Sequence, residues 1–282
     1  MEVHFLGVRG STPAPGPSTV RYGGNTSCVA LAHDGSPPTL VLDAGTGIRS
    51  VGGLLGEAPF AGTVLLTHLH WDHTHGLPFA RALDRDDATV DLWLPAQPGA
   101  VGDPADALAR SMGPPNFPIT PHQLRGRWRF SALEPGEHRF EGFTVTAAEI
   151  PHKGGRTFGY RVTDGTGMFA YLPDHSPVAV GPGPDGLGER HRVAVDLLEG
   201  VDVLAHDSQH TVTEFARVAG FGHSTIDYAV DLGAQAGVTT VVLFHHDPDR
   251  TDDALDAIVA GYADRSSGPE VIAAREGLVL RV

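Results

Sequence analysis

The chain has one cysteine, Cys28, in 282 residues, which excludes an internal disulfide, so the fold must hold by packing alone. Cys28 stands in the apolar run Cys28-Val29-Ala30-Leu31, and a small buried side chain accounts for it better than a reactive thiol. No run approaches the ~18 apolar residues that a membrane span requires. The start, Met1-Glu2-Val3-His4-Phe5-Leu6, lacks the basic region and the apolar stretch of a signal peptide. These absences lead us to expect a soluble cytoplasmic protein with no membrane partner. Basic residues are also scarce: 20 Lys and Arg face 34 Asp and Glu, a net charge of -14. Such a chain repels a long polyanion unless local basic patches or bound cations compensate, which weighs against large RNA or DNA as substrate.

The hydrophobic share, 41%, is that of an ordinary globular chain, and 282 residues are enough to bury a core. Gly 36 and Pro 22 imply many turns, and 16 histidines are an excess that metal ligation explains at least cost. Strand-like runs fall at 3–8, 27–32, 39–42, 63–66, 90–94, 127–132, 143–150, 158–163, 168–172, 201–205, 239–244 and 277–282. Helical patterns fall at 48–55, 104–112, 192–199, 225–236 and 252–262, with Ser224 as the expected N-cap of the fourth. The two β-rich halves each end in helices and no linker divides them. The expected fold is therefore α/β, a four-layer αββα sandwich in one domain over 1–282. The Pro-rich stretch 113–121 suits neither regular element. Its Phe117 and Ile119 are placed either to cover a pocket or to serve as a plain connector.

Thr67-His68-Leu69-His70-Trp71-Asp72-His73 follows the apolar strand at 63–66, so three imidazoles and a carboxylate sit where a strand gives way to a loop. Alternate residues of extended backbone share a face, which lets His68 and His70 grip one ion, while Asp72 and His73 turn toward a second. Imidazole nitrogen and carboxylate oxygen suit zinc, manganese or iron at a hydrolytic site. Polar residues of the same kind lie just past other strands: His152, Asp174, His206-Asp207 and the doublet His245-His246. Any one of these alone is better read as a satisfied structural group; together they are what a site assembled from strand ends requires. Asp43, before Ala44-Gly45-Thr46-Gly47, is either a turn residue or a carboxylate that orients a ligand histidine.

His68-x-His70-x-Asp72-His73 followed by His152, Asp174 and His245 resembles the metallo-β-lactamase fold superfamily, over nearly the whole chain. Leu6-Gly7-Val8-Arg9-Gly10-Ser11-Thr12-Pro13, Gly24-Asn25-Thr26-Ser27, His206-Asp207-Ser208 and His223-Ser224-Thr225 resemble its phosphodiesterase branch. That branch includes tRNA 3′-processing endonucleases and cyclic-phosphate phosphodiesterases. The resemblance implies two divalent ions, zinc first, with manganese or iron as alternatives. It implies His68, His70 and His152 on one ion and Asp72, His73 and His245 on the other, bridged by Asp174, with His246 the alternative to His245. It assigns catalytic roles to Asp72, Asp207 and His223, the last two cooperating as proton donor to the leaving group. A basic, Gly-rich arm like that of the tRNA enzymes is missing from the sequence.

The expected activity is thus hydrolysis of a small cyclic nucleotide or cyclic phosphate by metal-activated hydroxide. A lactonase or β-lactamase-like hydrolase and an RNA 3′-processing endonuclease are the alternatives. The expected partner is a small phosphodiester, and a homodimer is the assembly the family suggests. Lys153 and Arg21 are candidates for phosphate contact, and His175, His210 and His246 for lining the pocket.

Overall fold

The computed structural model describes residues 1–99, 102–263 and 267–282. Six strands open the chain: β1 (Glu2–Gly7), β2 (Cys28–Ala32), β3 (Leu40–Leu42), β4 (Ala61–Leu65), β5 (Thr89–Pro95) and β6 (Arg127–Leu133). Seven more follow: β7 (Gly136–Phe140), β8 (Phe143–Ile150), β9 (Thr157–Thr163), β10 (Met168–Leu172), β11 (Val203–Asp207), β12 (Thr240–Phe244) and β13 (Glu270–Ala273). The last strand, β14 (Val279–Arg281), returns to pair with β1. The first sheet runs β14-β1-β2-β3-β4-β5-β6 and the second β13-β12-β11-β10-β9-β8-β7. Each sheet has a parallel half, β3 to β6 in one and β10 to β13 in the other, and an antiparallel half.

Three apolar clusters show why the layers stack as they do. One fills the space between the sheets, with Phe5, Leu31, Phe169, Tyr171 and Phe244 among its members. A second lies outside the first sheet, where Ile48, Val51, Leu77 and Leu83 cover Val41, Val64 and Leu92. The third packs the helices α4 (Arg192–Leu197), α6 (Ile226–Ala236) and α7 (Asp252–Ala263) on the outer face of the second sheet. Strands covered on both faces read as unbroken apolar runs, as in β2 and β3, whereas β8 alternates buried with more exposed residues. The expected four-layer αββα sandwich is what the chain forms. No helix among the described residues is long and apolar enough to cross a membrane.

Several elements differ from the expectation. Strand β7, Gly-Glu-His-Arg-Phe, is a charged edge strand held by its pairing with β8, and it lacks the apolar content that marks a strand in sequence. Strand β13 and the helix Val212–Val218 were likewise absent from the pattern. The helix expected over 104–112 spans only Ala105–Ala109. The N-cap of α6 is Thr225, whose hydroxyl accepts from the Tyr228 amide, so Ser224 lies one residue too early; its hydroxyl instead donates to the His175 carbonyl. The strand expected at 201–205 is shifted to Val203–Asp207, which places His206 and Asp207 in the strand rather than after it.

Parallel pairing decides where the polar residues gather. Leu172 of β10 lies beside His206 of β11, and Asp207 beside Phe244 of β12, so Asp174, Asp207 and His245 emerge at one edge. Leu42 of β3 lies beside Leu65 of β4, which brings Asp43 next to the Thr67 loop. Phe5 ties this frame across the middle: fully buried, it meets Phe169 edge-on at 6.3 Å and Phe244 at 6.1 Å. Phe5→Ala should cost about 3–5 kcal/mol of unfolding free energy, measured by urea titration, because it leaves a cavity between two sheets that cannot both collapse inward.

Candidate metal centre and active site

Beyond β4 the chain bends at Thr67 and reaches His70 in extended backbone, then turns into the single helical turn α2 (Trp71–Thr74) that carries Asp72 and His73. His68 and His70 therefore leave an extended segment, while Asp72 and His73 leave a helical one. His152 follows β8, Asp174 follows β10, and His245 follows β12. Ligand-type atoms of His68, His70, His152 and Asp174 lie within 4.8 Å of one another, as do those of Asp72, His73 and His245.

Asp174 joins the two groups. Its Oδ1 is 3.4 Å from His152 Nε2 and 3.9 Å from His68 Nε2. Its Oδ2 is 2.9 Å from His73 Nε2 and 3.3 Å from His245 Nε2. Asp72 Oδ2 lies 3.0 Å from His245 Nε2 and 3.4 Å from His73 Nε2, and it accepts from the Ser11 amide at 2.7 Å. The doublet resolves by direction: His245 faces the carboxylates, whereas the Nε2 of His246 bonds the Ala274 carbonyl at 2.8 Å. Burial holds the pKa of His246 at about 3, so it stays neutral.

The rings are held from behind. Nδ1 of His73 bonds Asp43 Oδ2 at 2.7 Å, and Nδ1 of His152 bonds the Gly222 carbonyl at 2.7 Å. Asp43 is buried and also accepts from the Thr67 amide and hydroxyl and, across the sheet interface, from the Tyr171 hydroxyl at 3.0 Å. A carboxylate that fixes ring orientation and leaves the other nitrogen free is the usual support for a metal ligand. His68 Nε2, His73 Nε2 and Asp174 Oδ2 are buried and make no hydrogen bond. Burying such atoms unsatisfied costs about 1–3 kcal/mol each, and a cation among them removes that cost. The donor set, nitrogen from imidazoles and oxygen from two carboxylates, fits divalent ions of the zinc class.

The electrostatics agree. Burial raises the cost of charge on Asp174, but His245, His73, His68 and His152 outweigh it and hold the carboxyl well below its usual range. Burial pushes the pKa of His68 well down, and the neighbouring His73 adds to this. His73 goes the other way: burial opposes its charge, yet Asp174, Asp43 and Asp72 hold its pKa well above the ordinary value. Three residues around the site other than glycine adopt left-handed backbone, Ser11 at φ 63°, Asp43 at φ 61° and His245 at φ 59°, a strain that functional sites concentrate. Gly10 backs His245 so closely that an added Cβ would lie 2.4 Å from its Nδ1.

A cleft of about 370 Å³ opens onto these groups, lined by Asp72, His152, Asp174 and His223, with the exposed aromatic rings of Trp71 and Phe221 at its rim. His223 stands over the cleft with its Nδ1 2.9 Å from Asp207 Oδ2 and 3.6 Å from Asp174 Oδ1. Asp207 is fully buried and is itself held by the amides of His175 and Gln209. Burial opposes charge on His223, but the Asp207 carboxylate prevails and raises its pKa to about 9.

Other candidates fall elsewhere. Arg21 pairs with Asp256 and Asp253, and Lys153 donates to the Gly220 carbonyl at 2.9 Å. His175 bonds His206 at 3.0 Å in a buried pair behind the site. His210 lies 3.9 Å from Asp247. Phe117 lines a different, larger cavity, and Ile119 is absent from the walls of both. Arg9 was passed over in sequence. Fully buried, it donates to the carbonyls of Gly23, Asp247 and Arg250 and so ties the opening loop to the segment after His245. In the sequence it shows only as a basic residue before Gly10, just past β1.

Residues 39–246 match the beta-lactamase superfamily domain, and the chain belongs to that superfamily; it is a metal-dependent hydrolase of the metallo-β-lactamase fold. Within the superfamily it is similar to the Ribonuclease Z of Haloarcula marismortui, at 26% identity over all of this chain and 97% of that protein. In fold it is similar to the protein YhfI of Bacillus subtilis, with a TM-score of 0.70 and 18% identity over 99% of both chains. It is also similar in fold to the short form of human tRNase Z, with a TM-score of 0.63 and 21% identity over 100% of this chain and 99% of that one. These relatives correct one expectation. Net charge weighed against a large nucleic acid as substrate, yet the full-length relatives are named as ribonucleases. Net charge sums the whole surface, while a polyanion would meet only the local field, so the sum does not exclude such a substrate.

Asp43→Asn should lower zinc affinity by about 10–100-fold, read by chelator competition, with far-UV circular dichroism unchanged, because His73 loses the carboxylate that aims it.

Proposed function

We propose that the chain is a metal-dependent phosphodiesterase that cleaves RNA near a 3′ end. The observation that carries the phosphodiester part is the Asp207–His223 pair, poised over the same cleft as Asp174. An ester or lactam hydrolase needs activated water and polarisation of a carbonyl. Hydrolysis of a phosphodiester gains more from an acid at the departing oxygen, and His223 is a positioned acid. RNA as the substrate is supported by relatives named Ribonuclease Z that match along the whole chain.

In this reading His68, His70 and His152 would hold one divalent ion and Asp72, His73 and His245 a second, with Asp174 placed between the two groups. When bound, such ions lower the pKa of water and stabilise charge on the phosphoryl oxygens. The residues of the chain do the rest. Asp43, Gly222 and Ser11 fix the directions of His73, His152 and Asp72. His223 has its Nδ1 occupied by Asp207, which leaves Nε2 to donate a proton to the departing ribose oxygen. With the pKa raised to about 9, the ring is protonated at neutral pH and serves as an acid.

The test is hydrolysis of bis(p-nitrophenyl) phosphate, a short RNA with a 3′ extension, and 2′,3′- and 3′,5′-cyclic nucleotides by the zinc-loaded protein. RNA should be cleaved with the highest kcat/KM; preference for a cyclic nucleotide, or faster turnover of a lactone, would refute this substrate assignment. His223→Ala should lower kcat on RNA by about 10²–10⁴-fold. In the wild type, activity should fall as pH rises through about 9, where the acid loses its proton. Asp207→Asn removes the charge that raises this pKa, so the descending limb should move to lower pH.

A further inference from the structure

A second cavity, of about 790 Å³, lies beside the metal cleft and is more than twice its volume of about 370 Å³. One ring pair links their linings. Trp71 stands at the rim of the metal cleft, and its ring stacks on His75 at 5.4 Å and 17°; His75 lines the larger cavity. In a chain of net charge -14 this cavity is locally basic. Its walls carry the guanidinium groups of Arg49, Arg81 and Arg125 against a single carboxylate, Asp84. Asp84 is already bound by Arg125 at 3.2 Å. Arg49 and Arg81 are exposed and make no hydrogen bond or ion pair within the described residues.

The same walls are aromatic. Phe79 is 55% exposed, so its ring is open to contact from the cavity. Its ring meets Phe117 of the Pro-rich stretch edge-on at 5.8 Å. Aromatic faces beside unpaired guanidinium groups are the combination that holds single-stranded nucleic acid, one part taking bases by stacking and the other taking phosphates. We propose that this cavity is a nucleotide subsite that receives the RNA next to the linkage seated in the metal cleft, with Arg49 and Arg81 on its phosphates and Phe79 and Phe117 on its bases. The proposal rests on the RNA-cleaving function and names where that substrate runs.

The test is fluorescence anisotropy of a 5′-labelled single-stranded pentaribonucleotide with the full-length protein, in a His223→Ala background that leaves the probe intact. Reversing both arginines (R49E with R81E) should weaken binding by at least tenfold. It should also flatten the dependence of log Kd on log salt by about 1.4, the loss of two phosphate contacts on a single strand. Phe79→Ala should weaken binding about fivefold or more through lost stacking. Unchanged affinity and salt slope in these variants would overturn the subsite, as would failure of the parent protein to bind the probe at 50 mM salt. Where the double reversal does not fold, R81E alone is judged by the same criteria at about half the slope change. Failure to hydrolyse bis(p-nitrophenyl) phosphate would overturn the phosphodiesterase reading while leaving the anisotropy result to stand or fall alone.

Discussion

Asp174 is a buried carboxylate with one oxygen toward His152 and His68 and the other toward His73 and His245, and both sheets must be in place for it to have those neighbours. His68 and His73 descend from the first sheet; His152, Asp174 and His245 rise from the second. Were the sheets displaced by a residue's length, the carboxylate would face apolar side chains and its charge would be prohibitively costly. The inter-sheet cluster around Phe5, Phe169 and Phe244 therefore does more than bury area. It fixes the separation across which two sets of imidazoles meet one carboxylate.

The same dependence explains which parts of the molecule were legible in the sequence. His68-x-His70-x-Asp72-His73 is local, and its strand-to-loop setting shows in the residue pattern. The apolar runs that became β2, β10 and β12 were legible because strands covered on both faces leave an unbroken signature. Strand β7 was not, because its identity comes from its neighbour rather than its own side chains. The choice between His245 and His246 was also invisible. It turns on a single left-handed residue and on the Ala274 carbonyl, which waits for the second of the pair. Asp43 could be read two ways until Tyr171, 128 residues away, was seen to share its carboxylate.

Charge shows the limits of composition most clearly. The sum of -14 is correct, but it does not say where on the surface the charge lies, and so it cannot exclude a polyanion from one site. A cleft lined by histidines and set beside arginines presents a different field from that of the molecule as a whole.

The left-handed backbone at Ser11, Asp43 and His245 carries a consequence for the order of assembly. None of the three would adopt that conformation in a free peptide at appreciable population, since each costs of order 1–3 kcal/mol without surrounding structure. The residues that hold them come from distant parts of the chain: Arg9 braces the loop after His245, and Tyr171 reaches Asp43 across the interface. The full set of ligand-type residues is therefore brought together by the tertiary structure and not by any local segment. A cation arriving early finds only the short motif at His68 to His73, and the full cradle exists once the polypeptide has closed around it. A divalent ion held among these residues would therefore report on completed tertiary structure and would act as a latch on a finished fold.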